Sequence, residues 1–272
     1  MIAAARIVFD VFVYRVRRLE MANMVAAISL SLALALPGKQ VLLRALFAAV
    51  LNLLAYLTND YYDVDRDLEA GRALDKTRYL ADHRRAAIGA QLGLAALLVA
   101  LAFVIDVGLL IPAAAGAGIC WAYSAKLKCV PVLDVLSMTL WGAAMPLVGA
   151  PIGSTLGWAL AAQLGLFSTC FELIQVVRDR EEDRAVGIET TAVRYGESTG
   201  RLLIRIAFVV SALYAVLVLH RVFGLALFAA LLVPFGDDTS RYWTRIRMVL
   251  GVTWLFILGA VYLGGGAAGF LT

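Results

Sequence analysis

Residues 41–67 read VLLRALFAAVLNLLAYLTNDYYDVDRD, an apolar run that passes without a turn signal into an acidic tail. A helix rises about 1.5 Å per residue, and crossing a ~30 Å hydrocarbon layer takes about 20 residues. The stretch from Val41 to Tyr62 is long enough. If this span stays helical through the acids, one element carries a polar stripe from membrane depth to carboxylates at the membrane edge. The rest of the chain has the same character. Its 272 residues are 62% hydrophobic and 16% charged, with a mean hydropathy of +0.85. Soluble domains carry roughly 45–50% apolar and about 25% charged residues. That surplus cannot be buried in a water-facing globule of this size. A soluble enzyme, a secreted disulfide scaffold and a disordered chain are therefore excluded.

The same ruler laid along the chain gives spans near 20–37, 41–62, 86–106, 108–125, 131–150, 156–177, 199–219, 221–236 and 248–270. The expected fold is an all-α integral membrane protein of nine transmembrane helices, a single domain over residues 1–272. An amphipathic amino-terminal segment (1–19, with its pattern clearest from Ile7 to Arg18) is expected along the interface. Cap loops are expected near 63–85 and 178–198. No small-residue cleavage site follows the first span, which reads as a membrane span and not as a signal peptide. Orientation follows from the basic residues: 20 of the 24 Lys and Arg fall before the first span or after even-numbered spans. That bias places the amino terminus and both cap loops in the cytoplasm, at the inner (cell) membrane.

The acids are concentrated too. Asp60, Asp63, Asp65, Asp67, Glu69, Asp75 and Asp82 form one group, and Glu172, Asp179, Glu181, Glu182, Asp183, Glu189 and Glu197 another, together 14 of the 20 in the chain. At ~100° per residue, Asn59, Asp60, Asp63 and Asp67 share an arc of about 100° with the deeper Asn52 and Tyr56. Asp65 points away, as a solvated loop charge. In the second group Glu172, Gln175, Asp179 and Asp183 share an arc of about 80°, with Glu181 opposite. Glu172 lies about two turns below Asp179, at membrane depth, where an ionisable group is costly and marks function. It also reads as a helix-packing hydrogen bond, and Asn52 reads equally as interhelical glue.

Two carboxylate stripes opposed across a helical bundle suit Mg²⁺, a hard cation that takes oxygen ligands and is commonly shared with substrate phosphates. Lys76, Arg78, Lys126, Lys128 and Arg178 would neutralise the remaining phosphate charge of a diphosphate. Departure of that diphosphate from an allylic carbon leaves a carbocation, and an isoprenoid tail would lie in the apolar body below. An isolated D-x-x-x-D is more often a solvated face; two of them, facing, on one membrane side, are not. Cys120, Cys129 and Cys170 form no CxxC pair and read as small core residues. His83 and His220 are too few and too far apart for a zinc site. No basic stripe with interleaved aromatics points to nucleic acid.

At these residues the chain resembles the UbiA superfamily of intramembrane prenyltransferases. The family's first motif, N-D-x-x-D-x-x-x-D, is matched by Asn59, Asp60, Asp63 and Asp67, and its D-x-x-x-D by Asp179 and Asp183. Arg184 to Val193 looks like the downstream segment, and Tyr123-Ser124 with Lys126 and Lys128 resembles the pattern after the fourth helix. The resemblance runs over roughly residues 15–270. It implies a nine-helix bundle around a central cavity, with cytoplasmic caps after helices two and six. It further implies one Mg²⁺ on Asp60, Asp63 and Asp67 with Asn59 assisting, and a second on Asp179 and Asp183. Lys126, Lys128 and Arg78 would contact the diphosphate, with Tyr123 beside them. Where many members read H-P-x-x-x-N-R-P, this chain runs from Glu69 to Tyr79 without the Pro or the Asn-Arg pair, though Lys76 and Arg78 keep positive charge.

Two readings of the chemistry stay open. One is Mg²⁺-dependent transfer of a prenyl group from a polyprenyl diphosphate to a lipophilic, aromatic acceptor, with Glu172 as a base or acceptor contact. The other is cyclisation of the prenyl chain without an acceptor, in a cavity shaped by Phe167, Phe171, Trp121 and Trp141, residues that also read as ordinary packing. A cation channel would need polar residues towards both membrane faces, and they cluster towards one. Membrane lipids are the remaining expected partners.

Overall fold

The structure, a computed structural model, describes all residues except 1, 19, 70, 72, 73, 237 and 265–272. Among the described residues it is helical, without strands. In chain order the helices are α1 (Ile2–Arg17), α2 (Ala22–Ala33), α3 (Gly38–Glu69), α4 (Asp75–Asp82), α5 (Arg84–Ile105) and α6 (Leu110–Ala125). They continue with α7 (Leu133–Leu147), α8 (Thr155–Arg178), α9 (Arg180–Ala185), α10 (Thr191–Tyr195), α11 (Glu197–Tyr214), α12 (Arg221–Phe228) and α13 (Thr239–Leu263). A π turn, Ala215–Leu219, prolongs α11, and a 3-10 turn, Ala229–Leu232, prolongs α12.

Among the described residues, six helical stretches are long and apolar enough to cross a membrane: Gly38–Glu69, Arg84–Ile105, Val107–Ala125, Thr155–Arg178, Glu197–Leu219 and Thr239–Leu263. Three shorter apolar helices, Ala22–Ala33, Leu133–Leu147 and Arg221–Leu232, fall on the remaining expected spans. The largest shift is in α13, which starts at Thr239 and not near 248, taking Arg241, Arg245 and Arg247 into its first turns. Residues 265–270 of the expected last span lie outside the described residues, as does Arg72 of the charged connection.

The expected loops carry helix of their own. α3 runs through the acidic tail to Glu69, and α4 takes Asp75–Asp82 of the expected loop 63–85; α9 and α10 occupy about half of 178–198. The amphipathic amino-terminal segment is α1, and it packs on protein. Ile7 and Val11 are buried in one cluster with Leu57 and Val64 of α3, Leu80 of α4, and Ala87 and Ala90 of α5.

A second apolar cluster joins α2, α3, α5, α6 and α7, through Phe47, Leu51, Leu98, Leu109 and Met145 among others. A third joins α2, α7, α8, α11, α12 and α13, through Leu30, Leu160, Ile174, Phe208, Leu227 and Ile257. The α7–α8 pair links the two halves at close range. A Cβ on Gly142 would meet Ser168 Cβ at 2.2 Å, and one on Gly165 would meet the Thr139 carbonyl oxygen at 2.8 Å. Hydroxyls bridge the same crossing: Ser168 Oγ donates to the Met138 carbonyl at 2.7 Å, and Thr139 and Thr169 share a bond at 2.7 Å. Small residues that bring backbones together, with Ser and Thr as glue, are what helix packing in lipid calls for.

At the end of α3 opposite its acids, Arg44 is 3% exposed. Its Nη1 donates to the carbonyls of Val148 and Ala150 at 2.8 and 3.0 Å, and its Nη2 pairs with Asp106 at 2.7 Å. The charge excluded from the lipid level is thus spent on fastening the α5–α6 and α7–α8 connections to the start of α3.

Candidate active site

The last turns of α3 carry the first acidic stripe, and because the helix is unbroken to Glu69 the wheel geometry holds there. Each carboxylate meets cations from distant parts of the chain. Asp60 is bonded through Oδ1 to Arg15 Nη2 of α1 and through Oδ2 to Lys76 Nζ of α4, the latter at 2.6 Å. Asp63 Oδ1 is bonded to Lys128 Nζ, from the turn after α6, with Arg66 Nη1 at 3.4 Å. Asn59 Oδ1 accepts from Ser124 Oγ of α6 at 3.3 Å. Asp67 is half-buried and makes no ion pair among the described residues. Asp65 turns outward to Arg84, as a solvated charge.

Below this layer Tyr56 donates its hydroxyl to the Glu20 carbonyl, and the Arg15 guanidinium lies 4.4 Å from the centre of the Tyr56 ring. Arg15 Nη1 also bonds Glu20 Oε2 at 2.6 Å. Burial works against its charge, but Asp60 and Glu20 outweigh that and hold its pKa above the ordinary arginine value. Lys76 Nζ sits 4.3 Å over the Tyr14 ring. Deeper still, Asn52 is buried, with its Nδ2 spent on the Ala48 carbonyl at 2.9 Å and its Oδ1 without a partner among the described residues.

The second stripe departs from the wheel. α8 ends at Arg178, and Asp179 (φ −90°, ψ 0°) caps it before α9 begins. The departure is slight, because the Asp183 amide still donates to the Asp179 carbonyl at 2.9 Å. Arg178 forks onto Asp179 at 2.6 and 2.8 Å. Burial, then Asp179 and Glu182, push the Asp183 carboxyl above the usual range, while Arg66 pulls it back. Arg66, which pairs with Asp63 on α3, is thus a cation that acts on the second acidic segment as well. Glu181 faces outward to Arg180 and Arg184. Gln175 is half-buried. Glu172, 8% exposed, accepts from Tyr123 Oη at 3.1 Å.

The structure therefore joins Lys76 to Asp60, Lys128 to Asp63 and Tyr123 to Glu172. Lys126 and Arg78 are exposed and make no ion pair among the described residues. Of the four aromatics singled out, Phe167 and Phe171 of α8 pair with Trp254 and Trp243 of α13 at centroid distances of 6.3 and 6.1 Å. Trp141, on α7, packs against the cluster that α7 shares with α2, α3, α5 and α6. Trp121 is 56% exposed and donates to Tyr62 Oη. Cys120 and Cys170 are buried core thiols; Cys129 is half-buried. A groove of about 540 Å³ opens between the end of α12 and the start of α13, lined in part by Leu232, Val233, Arg245 and Met248, none of them among these acids.

Sequence reasoning missed Arg15 and Arg66 as site residues, counting both only for topology. Arg15 carried a signal: it follows Ile7 and Val11 at four-residue steps, so it sits on the buried face of α1. The donor set of Asn59, Asp60, Asp63, Asp67, Asp179 and Asp183 is all oxygen, which suits a hard cation such as Mg²⁺. Among the described residues no three such side chains converge as a metal cage; Asp60, Asp63 and Asp179 are turned to ammonium and guanidinium partners.

An all-helical bundle with membrane-length helices and an acid-and-base mouth at one end defines the class: an integral membrane protein with a polar site at the edge of its apolar body. The sequence profile of the UbiA prenyltransferase family matches residues 21–246, and the chain belongs to that family. No curated protein matches it. Solved structures share its fold. A digeranylgeranylglyceryl phosphate synthase structure, 14% identical, superposes with a TM-score of 0.75 over 95% of this chain and 98% of its own. A UbiA homolog from Archaeoglobus fulgidus bound to GPP and Mg²⁺, 16% identical, has a TM-score of 0.70 over 94% of this chain and 100% of its own. The same homolog bound to DMAPP and Mg²⁺, at 18% identity, has a TM-score of 0.65 over 94% and 99%. At such identities the likeness is one of fold.

Proposed function

We propose that this chain, acting as one domain, is a Mg²⁺-dependent intramembrane prenyltransferase. It would ionise a polyprenyl diphosphate and pass the prenyl group to a lipophilic, aromatic acceptor. One observation carries the reading: the carboxylates of the family motif meet Arg15, Lys76 and Lys128 at one end of an apolar bundle. Such an array has both halves of what a metal–diphosphate pair requires, acids for the cation and bases for the anion.

Asn59, Asp60, Asp63 and Asp67 would hold one Mg²⁺, and Asp179 and Asp183 another. When bound, these ions supply Lewis-acid neutralisation of the diphosphate. Lys76 and Lys128 would exchange their carboxylate partners for diphosphate oxygens, with Arg78, Lys126 and Arg178 at the rim. The C1–O bond breaks, diphosphate leaves with the electron pair, and the allylic cation is captured by the acceptor, which then loses a proton. Glu172, held by Tyr123 at membrane depth, is placed to orient the acceptor or take that proton. The basic-residue bias supports a cytoplasmic side for this mouth.

A second reading, cyclisation without an acceptor, is favoured by one observation. The Phe167–Trp254 and Phe171–Trp243 pairs lie between α8 and α13, and aromatic faces suit a carbocation. The test is to supply the purified protein in detergent with geranyl, farnesyl and geranylgeranyl diphosphates and Mg²⁺. Acceptor-dependent diphosphate release supports the transferase. Acceptor-free release with a cyclic hydrocarbon supports the cyclase. No release from any of them, with wild type and Asp60→Ala equally inert, contradicts both.

A further inference from the structure

Asp134 lies in the first turn of α7, just beyond the connection that carries Lys126 and Lys128, and is 1% exposed. A buried carboxylate is costly unless its lone pairs are filled. These are filled, mostly from far along the chain. The Thr191 amide donates to Asp134 Oδ2 at 2.7 Å, the Thr191 hydroxyl donates to Oδ1, and the Val135 amide donates to Oδ1 at 2.9 Å. The Thr191 hydroxyl oxygen in turn accepts the Val132 amide at 2.7 Å. To present that amide Val132 adopts φ +73°, which a β-branched residue takes only when its surroundings compel it. Both partners are buried, and every bond but that of the Val135 amide runs between the α7 entrance and the α10 entrance.

Thr191 opens α10 and so ends the stretch that begins at Asp179. Within that stretch the chain turns at Gly187 (φ +72°), and the Ile188 amide donates to the Asp183 carbonyl at 2.9 Å. Asp183 is therefore suspended between two anchors, the end of α8 on one side and the Asp134 knot on the other. Asp134 belongs to the segment whose Lys128 reaches Asp63. From this geometry we infer that Asp134 is a positioning residue: through Thr191 it docks the segment 179–190 over the mouth and fixes Asp183 relative to Lys128 and Asp63. The consequence for metal binding rests on the proposed function; the docking itself does not.

The test uses the full chain in detergent micelles, with variants Thr191→Val, Thr191→Ser and Asp134→Asn. Trypsin cleavage after Arg180, Arg184 and Arg194 reads the docking, with cleavage after Arg245 as an internal control. Mn²⁺ titration by electron paramagnetic resonance reads the metal. Loss of a buried hydrogen bond to a charged group predicts about tenfold faster cleavage at Arg184 in Thr191→Val, and about tenfold weaker Mn²⁺ binding. Thr191→Ser, which keeps the hydroxyl, should stay within about twofold of wild type on both. Should Thr191→Val fail to fold, Asp134→Asn carries the same comparison, since it keeps the shape and removes the charge. Cleavage at wild-type rate in the folded variants overturns the docking. Faster cleavage with unchanged Mn²⁺ affinity overturns the positioning of Asp183. A wild type that binds no Mn²⁺ contradicts the metal reading, and the cleavage comparison then still decides the docking.

Discussion

Replacing Tyr123 with Phe removes one oxygen from the bundle and leaves Glu172, 8% exposed, without the hydroxyl that reaches it at 3.1 Å. A neutral hydrogen bond is worth about 0.5–1.5 kcal/mol net and one to a charged group about 1.5–3, while stranding a buried acceptor costs about 1–3. Tyr123→Phe alone should therefore destabilise by about 1–3 kcal/mol. Glu172→Met removes the acceptor with an unbranched side chain of similar length. In that background the Tyr123→Phe change should cost little, giving a coupling energy of about 1–2 kcal/mol for the pair. A double-mutant cycle measures it, with unfolding of the four proteins followed by circular dichroism in mixed dodecyl maltoside and dodecyl sulfate micelles. A coupling below about 0.5 kcal/mol would mean that the bond is not formed. It would refute the assignment of Glu172 to a dry pair at membrane depth.

Three further outcomes are expected. Arg44→Met should destabilise by about 3–5 kcal/mol, because it strands the Val148 and Ala150 carbonyls and Asp106, while the surviving folded fraction keeps its kcat/KM; unfolding and turnover assays on one preparation check both. Lys128→Met should lower kcat/KM for a prenyl diphosphate by about 10- to 100-fold, the loss of one charge-assisted contact, in steady-state assays of diphosphate release. Asp183→Asn should abolish turnover yet leave Tm unchanged or raised in Mg²⁺-free buffer at neutral pH, since it relieves crowding with Asp179 and Glu182; a lower Tm would count against that repulsion.

The parts of the fold legible in the sequence were those set by local chemistry. Apolar run length located the helices, and the unbroken step from Val41 to Asp67 set the first acidic stripe on one face of one helix. What escaped depends on distant pairs. Nothing near Asp60 shows that Arg15, 45 positions away, will bond it, or that Asp134 will be filled by Thr191, 57 positions away. The slight break at Asp179 has no Gly or Pro to announce it, so the helical wheel sets Asp183 on α8 when it belongs to α9. Nor does anything within α1 name Leu57, Leu80 and Ala87, the distant residues that Ile7 and Val11 cover. Conversely Asp65 and Glu181, assigned to solvent from their angles alone, do face outward.

The central claim is that the paired acids of α3 and the α8–α9 junction hold metal against a prenyl diphosphate. The most direct measurement is Mg²⁺-dependent diphosphate release from a prenyl diphosphate by wild type, Asp63→Ala and Asp179→Ala at matched thermal stability. The account predicts release by wild type that stops with EDTA, returns with excess Mg²⁺, and is lost in both variants. Release that survives EDTA, or that either variant retains at the wild-type rate, would contradict it.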